Sequence, residues 1–252
     1  AGALRSPMTA IRLSGSSGLE GRHVVVAGAG RKGQVGEVVA AELAAHGATL
    51  ILVDRNEAVA EERADELAAR GFSAHALGCD LADETAAANL ARSVESLAPQ
   101  GIAGLVHTAG GFSPGAPVAD LTSEVWRHLF EINLTTAFFT TRALLPSLRR
   151  ARGSIVYFSA AVALPGARVA NLAAYAGAKS ALVTLMRAVA AEERSHGVRA
   201  NALAPTSIRT AANLASMGPN ERYVEREDVA RWVVWLCSPL SEPVTGQVIR
   251  LD

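Results

Sequence analysis

His23-Val24-Val25-Val26-Ala27 runs directly into Gly28-Ala29-Gly30-Arg31-Lys32-Gly33-Gln34-Val35-Gly36, and an amphipathic segment of helix length, 36–46, follows. A short, wholly apolar run predicts a strand covered on both faces. Glycines after it let the backbone turn tightly and approach a pyrophosphate, whose charge the N-terminus of the next helix favours. A glycine pattern alone is weak evidence. Here it follows a strand, opens a helix, and is matched by an acid, Asp54, at the end of the second strand. Asp54 can accept hydrogen bonds from an adenosine ribose and would repel a 2′-phosphate, so NAD(H) is favoured. Arg31, Lys32 and Arg55 pull toward NADP(H), which stays open. The plainer alternative is a structural turn and a strand-end Asp that caps a helix.

Outward from this turn the pattern repeats. Strand-like runs stand at His23–Ala27, Thr49–Val53, Ser73–Leu77, Gly104–His107, Ser154–Phe158, Arg199–Ala204 and Gln247–Leu251. Helix-length segments lie between most of them: 36–46, 56–70, 83–98, 123–151, 172–195 and 227–237. Such alternation predicts an α/β Rossmann fold: a doubly wound parallel sheet of about seven strands with helices on both faces. A (β/α) barrel is the rival and would want eight units. With no repeat, linker or second core, residues 19–252 read as a single dinucleotide-binding catalytic domain, and 1–18 as a flexible lead-in. That lead-in lacks the apolar core of a signal peptide.

Composition narrows the function. The 252 residues are 50% hydrophobic, and Lys plus Arg (24) balance Asp plus Glu (24). No basic field calls for nucleic acid or an anionic membrane. No uninterrupted apolar stretch is long enough to span a membrane. Cys79 and Cys237 stand far apart in apolar surroundings and read as small core residues of a reduced, cytoplasmic protein. The six histidines form no metal-like cluster, so no metal site is expected.

Tyr175 and Lys179 stand as Tyr-Ala-Gly-Ala-Lys in an Ala-rich helical run. Four residues are about one turn, which puts both side chains on one face. A phenol has a pKa of about 10, and a cation beside it favours the phenolate. The pair suits a general acid/base acting on a substrate oxygen. Such a pair also arises on exposed helix faces with no function.

Taken together, these motifs resemble the short-chain dehydrogenase/reductase family across nearly all of 20–252. The glycine turn, Cys79-Asp80-Leu81 after the third strand, and His107-Thr108-Ala109-Gly110 after the fourth carry the resemblance. So do Ile132-Asn133-Leu134, Tyr175 with Lys179, Pro205-Thr206-Ser207-Ile208-Arg209-Thr210, and Thr245-Gly246-Gln247. The resemblance implies hydride transfer between a nicotinamide and a small carbonyl or alcohol. It implies that Tyr175 moves the proton and that Lys179 lowers its pKa and binds the nicotinamide ribose. Asn133 would hold a relay water. Gly28, Gly30, Arg31, Gly33, Gly36, Asp54, Arg55, Asp80, Leu81, Ala109, Gly110, Pro205, Thr206, Ile208 and Thr210 would contact the cofactor, with Tyr175 and Lys179. The long segments 123–151 and 172–195 resemble those that pair in the family's oligomers, so a homotetramer or homodimer is expected.

Three departures stand out. Gly28 to Gly36 is two positions longer than the family's turn, which predicts a bulged loop around the same cofactor. Thr206 replaces the usual Gly. The family's catalytic Ser follows the fifth strand, but that slot falls on Ala160 by the strand and on Val162 by the distance to Tyr175. Ser159 is one residue early: it either slides into the site or bonds backbone as a strand-end residue. Loss of one polarising donor costs about 2.7–4 kcal/mol in acyl transfer, so a self-activated substrate would suffer least. The short segment 211–226 adds a likeness to the lid of dihydropteridine reductases, a narrower alternative. A non-catalytic dinucleotide-binding sensor is another, although Tyr175, Lys179 and Asn133 would then be idle.

Overall fold

The computed structural model describes residues 17–30 and 32–252. The expected lead-in therefore lies outside the described residues, except Ser17 and Gly18. Ser17 is buried, and its hydroxyl donates to the His46 carbonyl at 3.1 Å, so the packed chain begins before residue 19.

Seven strands form one sheet: β1 (His23–Ala27), β2 (Thr49–Asp54), β3 (Ala74–Gly78), β4 (Gly104–His107), β5 (Ser154–Phe158), β6 (Arg199–Pro205) and β7 (Val248–Leu251). All neighbours pair in parallel in the order β3-β2-β1-β4-β5-β6-β7, which settles the Rossmann sheet over the barrel. Successive strand residues alternate between two cores. Val24, Val26, Leu50 and Leu52 face α1 (Val35–Ala45), α2 (Glu57–Ala69) and α8 (Arg226–Cys237). Val25, Ala27, Ile51 and Ile155 face α3 (Glu84–Leu97), α5 (Thr136–Ala151) and α6 (Ala173–Glu192). Both faces are covered, so the strands are apolar without alternation. Each fully buried Val, Leu or Ile contributes about 1.5–3 kcal/mol.

Two elements differ from expectation. The single helix expected over 123–151 is α4 (Ser123–Phe130), a π-helical turn (Glu131–Thr135) and α5. An extra residue in that turn resets the helical phase, a change hydrophobic periodicity averages away. The segment after β6 contains a short helix, α7 (Ala211–Met217), started by Thr210, whose hydroxyl accepts from the Asn213 amide at 3.1 Å.

The chain reverses its winding at β1, which lies between β2 and β4. The crevice beyond the C-terminal ends of β1 and β4 is where such sheets bind ligands. Thr108 ties the two strands there, donating from its hydroxyl toward the Ala27 carbonyl at 3.2 Å and to the Gly28 carbonyl.

Candidate active site at the ends of β1, β4 and β5

α6 packs on β6 and buries Ala174, Ala178 and Leu182. Small residues let it approach closely, and two bonds join it to the end of β5. Lys179 Nζ donates to the Phe158 carbonyl at 2.7 Å. Ser159 Oγ donates to the Lys179 carbonyl at 3.1 Å. The one proton of Ser159 is therefore spent on helix backbone, the second of the two readings left open above.

The π turn carries Asn133 inward and fully buries it. Its Nδ2 donates to the Leu129 and Gly111 carbonyls at 3.0 and 2.9 Å, and its Oδ1 accepts from the Gly111 amide at 3.1 Å. Gly110, at φ +151°, sits between the groups: a Cβ there would stand 2.7 Å from Asn133 Oδ1 and 3.3 Å from Lys179 Nζ. The Asn133 amide thus shapes the turn after β4, and Gly110 leaves room for Asn133 and Lys179 to converge.

Tyr175 lies one turn before Lys179, with Nζ 5.9 Å from its ring centre. Burial drives their titrations in opposite senses, because it disfavours each charged form. The Lys179 ammonium falls to about 8 and the Tyr175 phenol rises to about 12. With Nζ turned to Phe158, the cation does not offset the burial of the phenol. The depression expected from the i,i+4 spacing is absent in this geometry.

The glycine turn leads into α1 so closely that a Cβ on Gly36 would stand 2.5 Å from the Gly28 and Ala29 carbonyls. The Gln34 side chain makes no cap, which suits an anion at the first turn of α1. A dinucleotide pyrophosphate fits this backbone. Gly30 N donates to Asp54 Oδ2 at 3.3 Å, and Asn56 N to Oδ1 at 3.1 Å, so the strand-end acid faces the turn. Asp80 Oδ1 accepts from Ala82 N at 3.0 Å, and Leu81 is buried behind it. Ala109 N donates to the Ala27 carbonyl at 2.9 Å. Beyond Pro205, Thr206 N donates to the Leu251 carbonyl at 2.9 Å, and Ile208 bridges to Val224. Arg31 is outside the described residues, and Arg55 is exposed.

Sequence reasoning missed two contributors. Gly33 is held on both sides: its amide donates to Glu37 Oε2 at 2.6 Å, and its carbonyl accepts from Ala211 N at 2.9 Å. Glu37 is in turn 3.3 Å from Arg226 and 3.5 Å from Arg63. The glycine turn is thereby fastened to α7 and α8, a tertiary contact with no local signature. Phe112 stands edge-on to Tyr175, with ring centres 5.2 Å apart, and is 61% exposed. Its place two residues after Gly110 was the available signal.

Comparison with known proteins identifies the family. The family model described as enoyl-(acyl carrier protein) reductase matches residues 28–252. An inactive 2-(S)-hydroxypropyl-CoM dehydrogenase 2 of Xanthobacter autotrophicus is 33% identical over 82% of this chain and 94% of its own length. A Beutenbergia cavernae structure, provisionally assigned as an NAD(P)-dependent gluconate 5-dehydrogenase with NADP at low occupancy, superposes with TM-score 0.84. It is 34% identical, covering 94% of this chain and 98% of its own. A 7α-hydroxysteroid dehydrogenase complexed with NADH and 7-oxo glycochenodeoxycholic acid gives TM-score 0.85 at 27% identity, covering 94% of each chain. The fold and site define a dinucleotide-dependent oxidoreductase. The chain belongs to the short-chain dehydrogenase/reductase family and is an NAD(P)-dependent enzyme of the alcohol/carbonyl class.

Proposed function

We propose that Tyr175 is the general acid/base of a small-carbonyl reductase or alcohol dehydrogenase. When bound, the nicotinamide supplies or takes the hydride at the substrate carbon. In the reducing direction Tyr175 gives its phenolic proton to the substrate oxygen, and in the oxidising direction it takes it back. Lys179 holds positive charge beside the phenol and reaches the nicotinamide ribose. Asn133 holds the Gly110–Gly111 turn that frames both. Convergence of Asn133 and Lys179 around Gly110, one helical turn from Tyr175, carries this reading. Gly28, Gly30, Gly33 and Gly36 would line the pyrophosphate, and Asp54 the adenosine ribose, favouring NAD(H). Asp80, Leu81, Ala109, Pro205, Thr206, Ile208 and Thr210 would line the rest of the dinucleotide. Ser159 acts as a fastener of α6, so the substrate oxygen meets one protein hydroxyl, that of Tyr175.

One observation favours a narrower reading. With Ser159 committed to backbone and Ala160 after it, a substrate that carries its own activation suits the site best. A quinonoid dihydropterin is such a substrate. The enzyme is read as cytoplasmic, and as a homotetramer.

The test is NADH oxidation against ketones, quinones and quinonoid dihydropterins, with Tyr175→Phe in parallel. Turnover should fall by about 10²–10⁴-fold in the variant, while NADH binding persists. Equal turnover in both proteins would remove Tyr175 from the chemistry. Absence of NADH oxidation with dihydropterins would remove the narrower reading.

A further inference from the structure

Gly33 stands in the glycine turn at φ +82°, a left-handed backbone that favours glycine. Both of its backbone groups are taken. Its amide donates to Glu37 Oε2 at 2.6 Å, and its carbonyl accepts from Ala211 N at 2.9 Å. Glu37 is the third residue of α1, whose N-cap is Gln34. A glutamate at that position ordinarily reaches back to the amide of the cap itself. Here it reaches one residue further, to Gly33. The first amides of α1 have no partner within the helix and stay available to an anion.

A carboxylate in the first turn of a helix is favoured by the helix dipole, but it would repel a pyrophosphate bound at the same end. Two guanidiniums offset it. Arg226, the first residue of α8, stands 3.3 Å from Glu37 Oε2, and Arg63 of α2 stands 3.5 Å from Oε1. Arg63 is 2% exposed and also meets Glu62 and Glu66. Among the described residues, Arg226 forms an ion pair with no carboxylate but Glu37. α1 packs along α8, which keeps the two partners in reach.

We propose that Glu37 is a positioning residue for the dinucleotide: its carboxylate, held and balanced by Arg226 and Arg63, pins the Gly33 amide and so fixes the path on which the turn delivers the first amides of α1 to the pyrophosphate. The proposal rests on the reading that the pyrophosphate lies at the glycine turn. The carboxylate acts through its hydrogen bond to Gly33, and the ion pairs keep it in place.

Two variants separate the hydrogen bond from the charge. Glu37→Ala removes both, whereas Glu37→Gln keeps an acceptor for Gly33. Fluorescence titration should show NADH affinity falling about fivefold or more in Glu37→Ala and largely restored in Glu37→Gln. Hydrogen exchange reads the same contact without ligand: the Gly33 amide should exchange at least about fivefold faster in Glu37→Ala than in Glu37→Gln. Wild-type affinity in Glu37→Ala overturns the proposal. Equal losses in the two variants also overturn it, because they would leave Glu37 only its ion pairs between helices. If Glu37→Ala does not fold, Arg226→Met decides: with one holder of the carboxylate gone, Gly33 exchange should quicken, and an unchanged rate overturns the proposal. Gly36→Ala tells this failure from that of the underlying reading. If it leaves NADH affinity unaltered, the pyrophosphate lies elsewhere and both fall. If it weakens NADH while Glu37→Ala does not, the role of Glu37 alone falls.

Discussion

Ser159 and Ala160 differ in chemistry by one hydroxyl, and the structure commits that hydroxyl to the Lys179 carbonyl. Ser159→Ala should therefore act on stability, lowering it by about 1 kcal/mol in urea unfolding. Ala160→Ser, which adds a donor at the family's slot, should raise kcat/KM on unactivated ketones by about tenfold or more; no gain would mean the slot is elsewhere. Lys179 gives a pH prediction. Its folded value lies near 8 and its ordinary value at 10.5. Below pH 8 both states are protonated and the buried charge is fully unfavourable. Between those values the unfolded chain binds more protons, so Lys179 makes stability rise with pH. Compared with Lys179→Met, the wild type should gain from pH 7 to 9.5 by at most about 1.4 kcal/mol per pH unit. Tyr175, raised to about 12, opposes this only above pH 10.

At the scale of elements, the glycine turn and α1 act as one unit. Gly36→Ala would push a methyl to 2.5 Å from two carbonyls, so the turn must move. NADH affinity should fall at least about tenfold, read by fluorescence titration, because the backbone amides no longer converge on the phosphate site. An unaltered Kd would show that the pyrophosphate lies elsewhere. The strands, most helices and this turn were legible because apolar runs and glycines act locally. The π turn and α7 were not: the first shifts phase within an apparently continuous helix, and the second is seven residues set by a Thr210 cap.

For the molecule as a whole, the exposed aromatics on α4 and α5 matter. Trp126 is 43% exposed and stacks on Phe130, and Phe138 is 41% exposed under Arg142. By contrast, Trp232 and Trp235 meet each other edge to face and pack against the core. With 123–151 as the assembly face, Phe138→Asp should shift the proposed tetramer to smaller species in light scattering. A wild-type monomer would remove the assembly proposal.

The sequence by itself determined the parallel seven-stranded fold, the glycine turn with its strand-end acid, and the shared helical face of Tyr175 and Lys179. Those follow from periodicity and from residues whose constraints are local. Only the tertiary structure decided that Ser159 bonds α6 and that Glu37 and Ala211 fasten Gly33. Those facts depend on strand register and helix approach. Register and approach are set by the packing of the whole core, which no short stretch of sequence encodes.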